Sequence, residues 1–124
     1  MKLYHATSQK SLQIILKEKA ISHNSYWANN IELAEYYMET IEDEGEQPVL
    51  LSIETNESDI FSPDMPGLEE PITTVVGISD DEVWENWQNS QQTWEDALNI
   101  IGSVISQNTL NIDRLLLVDN DNEI

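Results

Sequence analysis

Between residues 20 and 113 this chain carries neither lysine nor arginine. Its five basic residues are Lys2, Lys10, Lys17 and Lys19 at the front and Arg114 near the end, against 24 acids, for a net charge of −19. A stretch this long without a cation cannot neutralise its own carboxylates, so it must turn them to water, to counterions or to a basic partner. The same field repels phosphates, which disfavours direct nucleic-acid contact through this segment. Two accounts of such a surface stay open: a solubilising or salt-adapted coat, or a dedicated anionic decoy.

The local patterns fit that constraint. Residues 2–5 alternate as a strand, and Ser8 or Thr7 caps a helix running to about Lys19, with Leu12, Ile15 and Leu16 at helical spacing and Ile14 off that face. Residues 25–28, aromatic and flanked by His23-Asn24 and Asn29-Asn30, suit a second strand. Asn30 then caps a helix that places Ile31, Ala34, Tyr37, Met38 and Ile41 on one face and Glu32, Glu35, Glu39 and Glu42 on the other. Gly45 and Pro48 end it, and residues 49–53 follow as a buried strand.

Residues 54–71, with Gly67 and three of the four prolines, are expected to form a long irregular connection, the kind of loop that often holds function. Ser79-Asp80-Asp81-Glu82 has capping-box spacing, so a helix should start there, with Trp84, Trp87, Gln91, Trp94 and Leu98 on one face. Residues 102–106 and 115–118 supply two more strands, separated by the polar turn Gln107-Asn108-Thr109. The acidic tail, 119–124, is expected to fray.

At 124 residues the chain makes one domain, 1–124. It has no cysteine and only two histidines, so no disulfide framework and no metal centre is expected. No long apolar run follows Met1, and the expectation is a soluble, cytoplasmic protein without a membrane partner.

The order of the motifs says more than any one of them. Tyr4-His5-Ala6-Thr7 is followed by Ile15-Leu16-Lys17-Glu18-Lys19-Ala20, Tyr26-Trp27-Ala28 and Ala34-Glu35-Tyr36-Tyr37. Pro48-Val49-Leu50-Leu51-Ser52-Ile53 comes next, and Gly102-Ser103-Val104 precedes the apolar stretch 112–118. Taken together over nearly the whole chain, these segments resemble the ADP-ribosyltransferase-like fold. That split α/β sandwich is shared by mono-ADP-ribosyltransferases, poly-ADP-ribose polymerases and the transferases that move an RNA 2′-phosphate onto NAD. The resemblance, closest to small bacterial or phage members, implies an α+β domain with a mixed, mainly antiparallel sheet and NAD as substrate.

It also implies a site. Breaking the bond between nicotinamide and ribose passes through an oxocarbenium-like state, so the ribose must be held, the nicotinamide stacked and developing positive charge favoured. Carried onto this sequence, His5 would bond a ribose or adenosine hydroxyl, and the Ala6 backbone would face the nicotinamide amide. Thr7 would join them in holding NAD, and Tyr26 and Tyr37 would clamp the ring.

The chain departs from the family pattern in three places. Glutamate-using members carry an acid at the start of a late strand, where this sequence has Gly102-Ser103-Val104; Ser103 takes that place and Glu95 is the nearest upstream carboxylate. Ala6 replaces the motif glycine, and only Lys10 and Lys17 are at hand for a pyrophosphate. The same residues also have structural readings: His5 as a partly buried imidazole satisfied by backbone, Tyr26, Trp27 and Tyr37 as aromatic core, and Glu95 as a solvated helix residue.

Two functions follow. The first is an NAD-using transferase that moves ADP-ribose onto a protein target, with His5, Tyr26, Tyr37 and Glu95 in its catalytic set. The alternative keeps the fold without the chemistry: an acidic, nucleic-acid-mimicking protein that inhibits a basic, nucleic-acid-binding partner, as phage anti-defence proteins do. An RNA 2′-phosphate transferase ranks third, because arginine is scarce. A basic protein partner is expected, and the tryptophan stripe should place two rings in the core and one at a docking rim.

Overall fold

The structure is a computed structural model that describes residues 1–118 and the strand Asn122–Glu123. It is an α+β domain. The first strand, β1 (Lys2–Ser8), runs further than its weak alternation indicates, because it is the central strand and is held on both sides. Ser8 ends it by turning into the N-cap of α1 (Gln9–Glu18), where its Oγ accepts from the Ser11 amide at 3.0 Å. Leu12 and Ile15 of α1 enter the core, and Ile14 stays exposed. Lys19 closes the helix at φ 61°, a left-handed conformation that glycine adopts more easily.

The chain then forms β2 (Ala20–Ile21), β3 (Tyr26–Ala28) and α2 (Ile31–Asp43), the last capped by the Asn30 side chain on the Leu33 amide at 2.8 Å. The buried positions of α2 are Leu33 and Ala34, whereas Ile31 and Tyr37 are partly in water, so its inward face is rotated from the expected stripe. The outer glutamates, Glu32, Glu35, Glu39 and Glu42, are exposed. β4 (Pro48–Glu54) follows and pairs with β1 along its whole length, from Lys2–Glu54 to Ser8–Pro48.

Residues 54–71 are more ordered than their prolines and glycine suggest. They hold β5 (Phe61–Pro63), an edge strand that tolerates Pro63, and α3 (Met65–Glu69), capped by Asp64. After α4 (Thr73–Val76), the single helix expected from Ser79 to Leu98 proves to be two, α5 (Asp80–Gln88) and α6 (Trp94–Ile100). The run ends at Gln88, the chain turns through Gln92 at φ 58°, and Thr93 restarts a helix through a reciprocal capping box with Asp96. At Ser79 only the serine half of a box forms, to the Glu82 amide at 3.3 Å. The tryptophan stripe is thereby divided. Trp87 is buried, Trp94 packs on Phe61 with ring centroids 5.3 Å apart, and Trp84 stays at the surface.

β6 (Ser103–Ser106) and β8 (Leu116–Leu117) lie on opposite sides of β1, separated in sequence by β7 (Leu110–Asn111) and a 3-10 turn at Ile112–Arg114. Gly102, at φ 84°, leads into β6. A side chain there would come within 2.6 Å of the Asn30 amide nitrogen. The seven-stranded sheet runs β5-β6-β3-β1-β4-β8-β9, and β2 pairs with β7 apart from it. β9 (Asn122–Glu123) pairs with β8, so part of the tail expected to fray adds a strand; the rest of that expectation lies outside the described residues.

Every pairing among the described strands is antiparallel, so the parallel component of a mixed sheet is missing there. Leu3, Leu51, Ile53, Trp27 and Val104 line one sheet face and build the core with Leu12, Ile15, Ala97 and Leu98. α2 packs over β1 and β4, where Tyr4 and Ala6 alternate to the other face. No helix among the described residues is long and apolar enough to cross a membrane.

Candidate functional site

The sheet is nearly parted at its middle. β1 meets β3 in the ladder only at Tyr4–Ala28, so β5-β6-β3 and β1-β4-β8-β9 are joined there by one register pair. Alternation fixes which groups face the parting. The bonds Thr55 N–H to Met1 carbonyl and Gln9 N–H to Gln47 carbonyl show that odd residues of β1 turn their backbone groups to β4, which directs those of Tyr4 and Ala6 toward β3. On β3, Ser25 and Asn29 bond β6, which directs Tyr26 and Ala28 toward β1.

In register, Ala6 would be Tyr26's partner. Instead the Tyr26 carbonyl accepts a hydrogen bond from His5 Nδ1 at 2.7 Å, and the ladder does not continue. The imidazole acts as a wedge between the strands, its ring 5.1 Å from that of Trp27. A carbonyl only accepts, so Nδ1 carries the proton and Nε2 holds the lone pair of the neutral ring. Burial pushes the His5 pKa down, and the carbonyl bond, which favours the cation, only partly offsets it. His5 is therefore neutral at pH 7.

Where the strands part lies a cleft of about 340 Å³. Tyr4, His5 and Ala6 of β1 and Tyr26, Trp27 and Ala28 of β3 form its floor and sides. Ala34, Tyr37, Thr40 and Ile41 of α2 form the opposite wall, and Asp64 and Ser103 close one end. Tyr26 and Tyr37 are 46 % and 37 % exposed, which leaves both rings accessible at the mouth rather than spent in the core. Burial, with the nearby charge of Asp64 as the next cause, pushes the Tyr37 pKa up, so its phenol remains a donor at neutral pH. His5 also borders a second depression of about 250 Å³, with Ser11, Ile21 and His23.

Asp64 is the residue the sequence concealed. It sits in the stretch expected to be irregular, yet it is 1 % exposed. Its Oδ2 accepts from the Ser103 hydroxyl at 2.6 Å and its Oδ1 from the Gly67 amide at 3.0 Å. A methyl at residue 67 would lie 2.6 Å from Oδ2, so glycine is what lets α3 approach this carboxylate. The signal was available: Asp64 two residues ahead of Pro66 and three ahead of an amide donor is an N-cap pattern.

The structure brings His5, Ala6, Tyr26, Tyr37 and Ser103 to one cleft, and it separates two other candidates from them. Thr7 is buried in register with Val49 and does not line the cleft. Glu95 is exposed in the first turn of α6 and does not line the cleft; the carboxylate that does is Asp64. No lysine or arginine lines the cleft, and no group of three metal-ligating side chains occurs among the described residues. The cleft lining combines tyrosines, a carboxylate, hydroxyls and apolar side chains. It has no cation for a phosphate.

No protein-family model, curated protein or solved structure matches this chain.

Proposed function

We propose that the cleft between β1 and β3 takes the nicotinamide riboside end of NAD, and that the protein is an ADP-ribosyltransferase-like enzyme acting on a protein side chain. The observation that carries this reading is the convergence of His5, Ala6, Tyr26 and Tyr37, from three separate segments, on one cleft of ligand size. The parting of the sheet at Tyr4–Ala28 supports the split-sandwich form of the fold. In this reading Tyr26 and Tyr37 hold the ring, and the Ala6 backbone meets the carboxamide. The lone pair on His5 Nε2 accepts a ribose hydroxyl. Asp64, positioned by Ser103 and Gly67, favours positive charge as it grows on the ribose while nicotinamide leaves. The residues fit the nicotinamide end of NAD but offer its pyrophosphate nothing beyond solvent.

The test is nicotinamide release from NAD in the presence of a mixture of basic proteins, with NAD affinity measured by calorimetry. Wild type should release nicotinamide, and Tyr37→Ala, a substitution at a half-exposed position, should weaken NAD binding by about tenfold. Absence of both release and binding contradicts the reading.

The acidic-inhibitor reading keeps one specific support. Glu32, Glu35, Glu39 and Glu42 form an exposed row on α2 with no ion pair among the described residues. Under that reading, affinity for a basic partner falls steeply with salt, since screening acts over about 10 Å at 0.1 M.

A further inference from the structure

The parting of the sheet begins where neither strand ends. β1 and β3 share the pair Tyr4–Ala28, and both continue beyond it, β1 to Ser8 along β4 and β3 to Tyr26 along β6. Counting two further along each strand puts Ala6 opposite Tyr26, and the parity of the ladder turns the backbone groups of both into the gap. The next pair is thus in register and not made. Its acceptor is taken, because the Tyr26 carbonyl that the Ala6 N–H would reach receives His5 Nδ1 at 2.7 Å. On the α2 face, pairing would set the Ala6 methyl beside the Tyr26 ring, a small residue across from a large one, and would cover part of a side chain now 46 % exposed. On the opposite face the imidazole has somewhere to go. His5 lines both the cleft and the depression of about 250 Å³ built by α1 and the turn after β2, with Ser11, Ile14, Glu18 and His23, a space larger than the ring.

From these observations we infer that the Tyr26 carbonyl is a two-position switch that opens and closes the cleft. With His5 Nδ1 as its donor the strands stand apart and the cleft is open, as in this structure. When the imidazole swings into the depression beside α1, the Ala6 N–H takes the Tyr26 carbonyl, the Tyr26 N–H takes the Ala6 carbonyl, and the ladder advances by one pair across the cleft floor. The exchange is close to balanced, since closing breaks one hydrogen bond to that carbonyl and forms two backbone bonds, while the imidazole moves from a tight seat to an open one. The two states exclude each other, because the ring that bonds Tyr26 lies between the strands. A ligand enters the open state alone, so its apparent affinity is set by the fraction of molecules in which His5 holds the carbonyl. This switch shares with the preceding reading only the cleft, and it holds whichever ligand fills it.

The experiment removes the wedge and reads the ladder by NMR. In His5→Ala the Ala6 and Tyr26 amides should exchange with deuterium about tenfold more slowly than in wild type, and a nuclear Overhauser contact between those two amides should appear. His5→Asn, whose side-chain amide can still donate to the Tyr26 carbonyl, should keep the exchange rates of wild type. A substitution that only loosened the site would speed exchange instead. Wild type gives a reading that needs no variant: relaxation dispersion on the μs–ms scale at Ala6 and Tyr26, with Leu51 on the β4 side silent. Unchanged or faster exchange in His5→Ala, equal protection in His5→Asn and His5→Ala, or no dispersion at either amide in wild type overturns the inference. Should His5→Ala fail to fold, the wild-type dispersion decides. NAD binding by a protein without this exchange would leave the nicotinamide reading standing and sink this one. Exchange in a protein that binds no NAD would do the reverse.

Discussion

At the scale of single residues, the decisive choice is made by His5, which donates from Nδ1 to the carbonyl that Ala6 would otherwise meet and so keeps β1 and β3 apart. That position has a consequence for stability. Burial lowers the His5 pKa in the folded protein, so below the ordinary value of 6.5 the unfolded chain binds a proton that the folded one refuses. The contribution is fully present above pH 6.5 and is lost as pH falls through the lowered folded value. Urea unfolding of wild type should therefore show stability declining just below pH 6.5, and His5→Gln should flatten that part of the profile. A profile identical in both proteins contradicts the assignment. His5, Ala6, Tyr26 and Tyr37 were legible as a set through motif order alone, since strand alternation by itself turns His5 to the Leu51 and Trp27 face and Ala6 to the α2 face. Asp64 was not, because in a chain with 24 acids its N-cap spacing to Pro66 marks a helix start and not a site. What distinguishes it is burial by Gly67, Ser103 and α3, a tertiary fact. Glu95 shows the complementary limit: it is near Ser103 in sequence, but it lies exposed in the first turn of α6 and does not line the cleft.

At the scale of elements, helix starts were easier to read than helix ends. Ser8, Asn30 and Ser79 each cap the helix their position indicates, since a capping oxygen and the amide it serves are three residues apart in the chain. The break between α5 and α6 was missed because the tryptophan spacing continues across it. α5 stops at Gln88, where the Ser90 hydroxyl donates to the Trp87 carbonyl, and the turn through Gln92 in a left-handed conformation leads to the Thr93–Asp96 box that starts α6, local bonds that outweigh periodicity. The short strands β2, β5 and β7 were invisible for a different reason. At two or three residues each they are defined by distant partners rather than by their own pattern. The end of α1 yields a prediction of its own. Lys19 adopts φ 61° and ψ 27°, where a Cβ is strained, so Lys19→Gly should raise stability by about 0.5–1 kcal/mol in urea unfolding. A loss of stability would show that the lysine side chain offsets the strain.

At the scale of the whole molecule, the charge balance and the architecture are handled separately. Arg114 is the one base after Lys19, and it reaches both Asp59 and the Glu54 carbonyl, tying the loop after β4 to the 3-10 turn before β8. The Arg114 guanidinium holds the Asp59 carboxyl below its ordinary value of 3.8, so the pair's contribution is present above that pH and lost as pH falls through the folded value. Arg114→Met should lower stability at pH 7 by roughly 2–4 kcal/mol, because it strands an enclosed carboxylate, and the deficit should shrink in acid. An unchanged urea midpoint would mean the loop is held by backbone alone. Among the residues that line the cleft, Asp64 is the one acidic side chain. We propose that NAD enters this cleft ring first, between β1, β3 and α2. Amide NMR during titration with oxidised NAD tests it most directly. The account predicts saturable shifts centred on His5, Ala6, Tyr26, Tyr37 and Ser103; shifts confined to the acidic outer row of α2, or none at all, would contradict it.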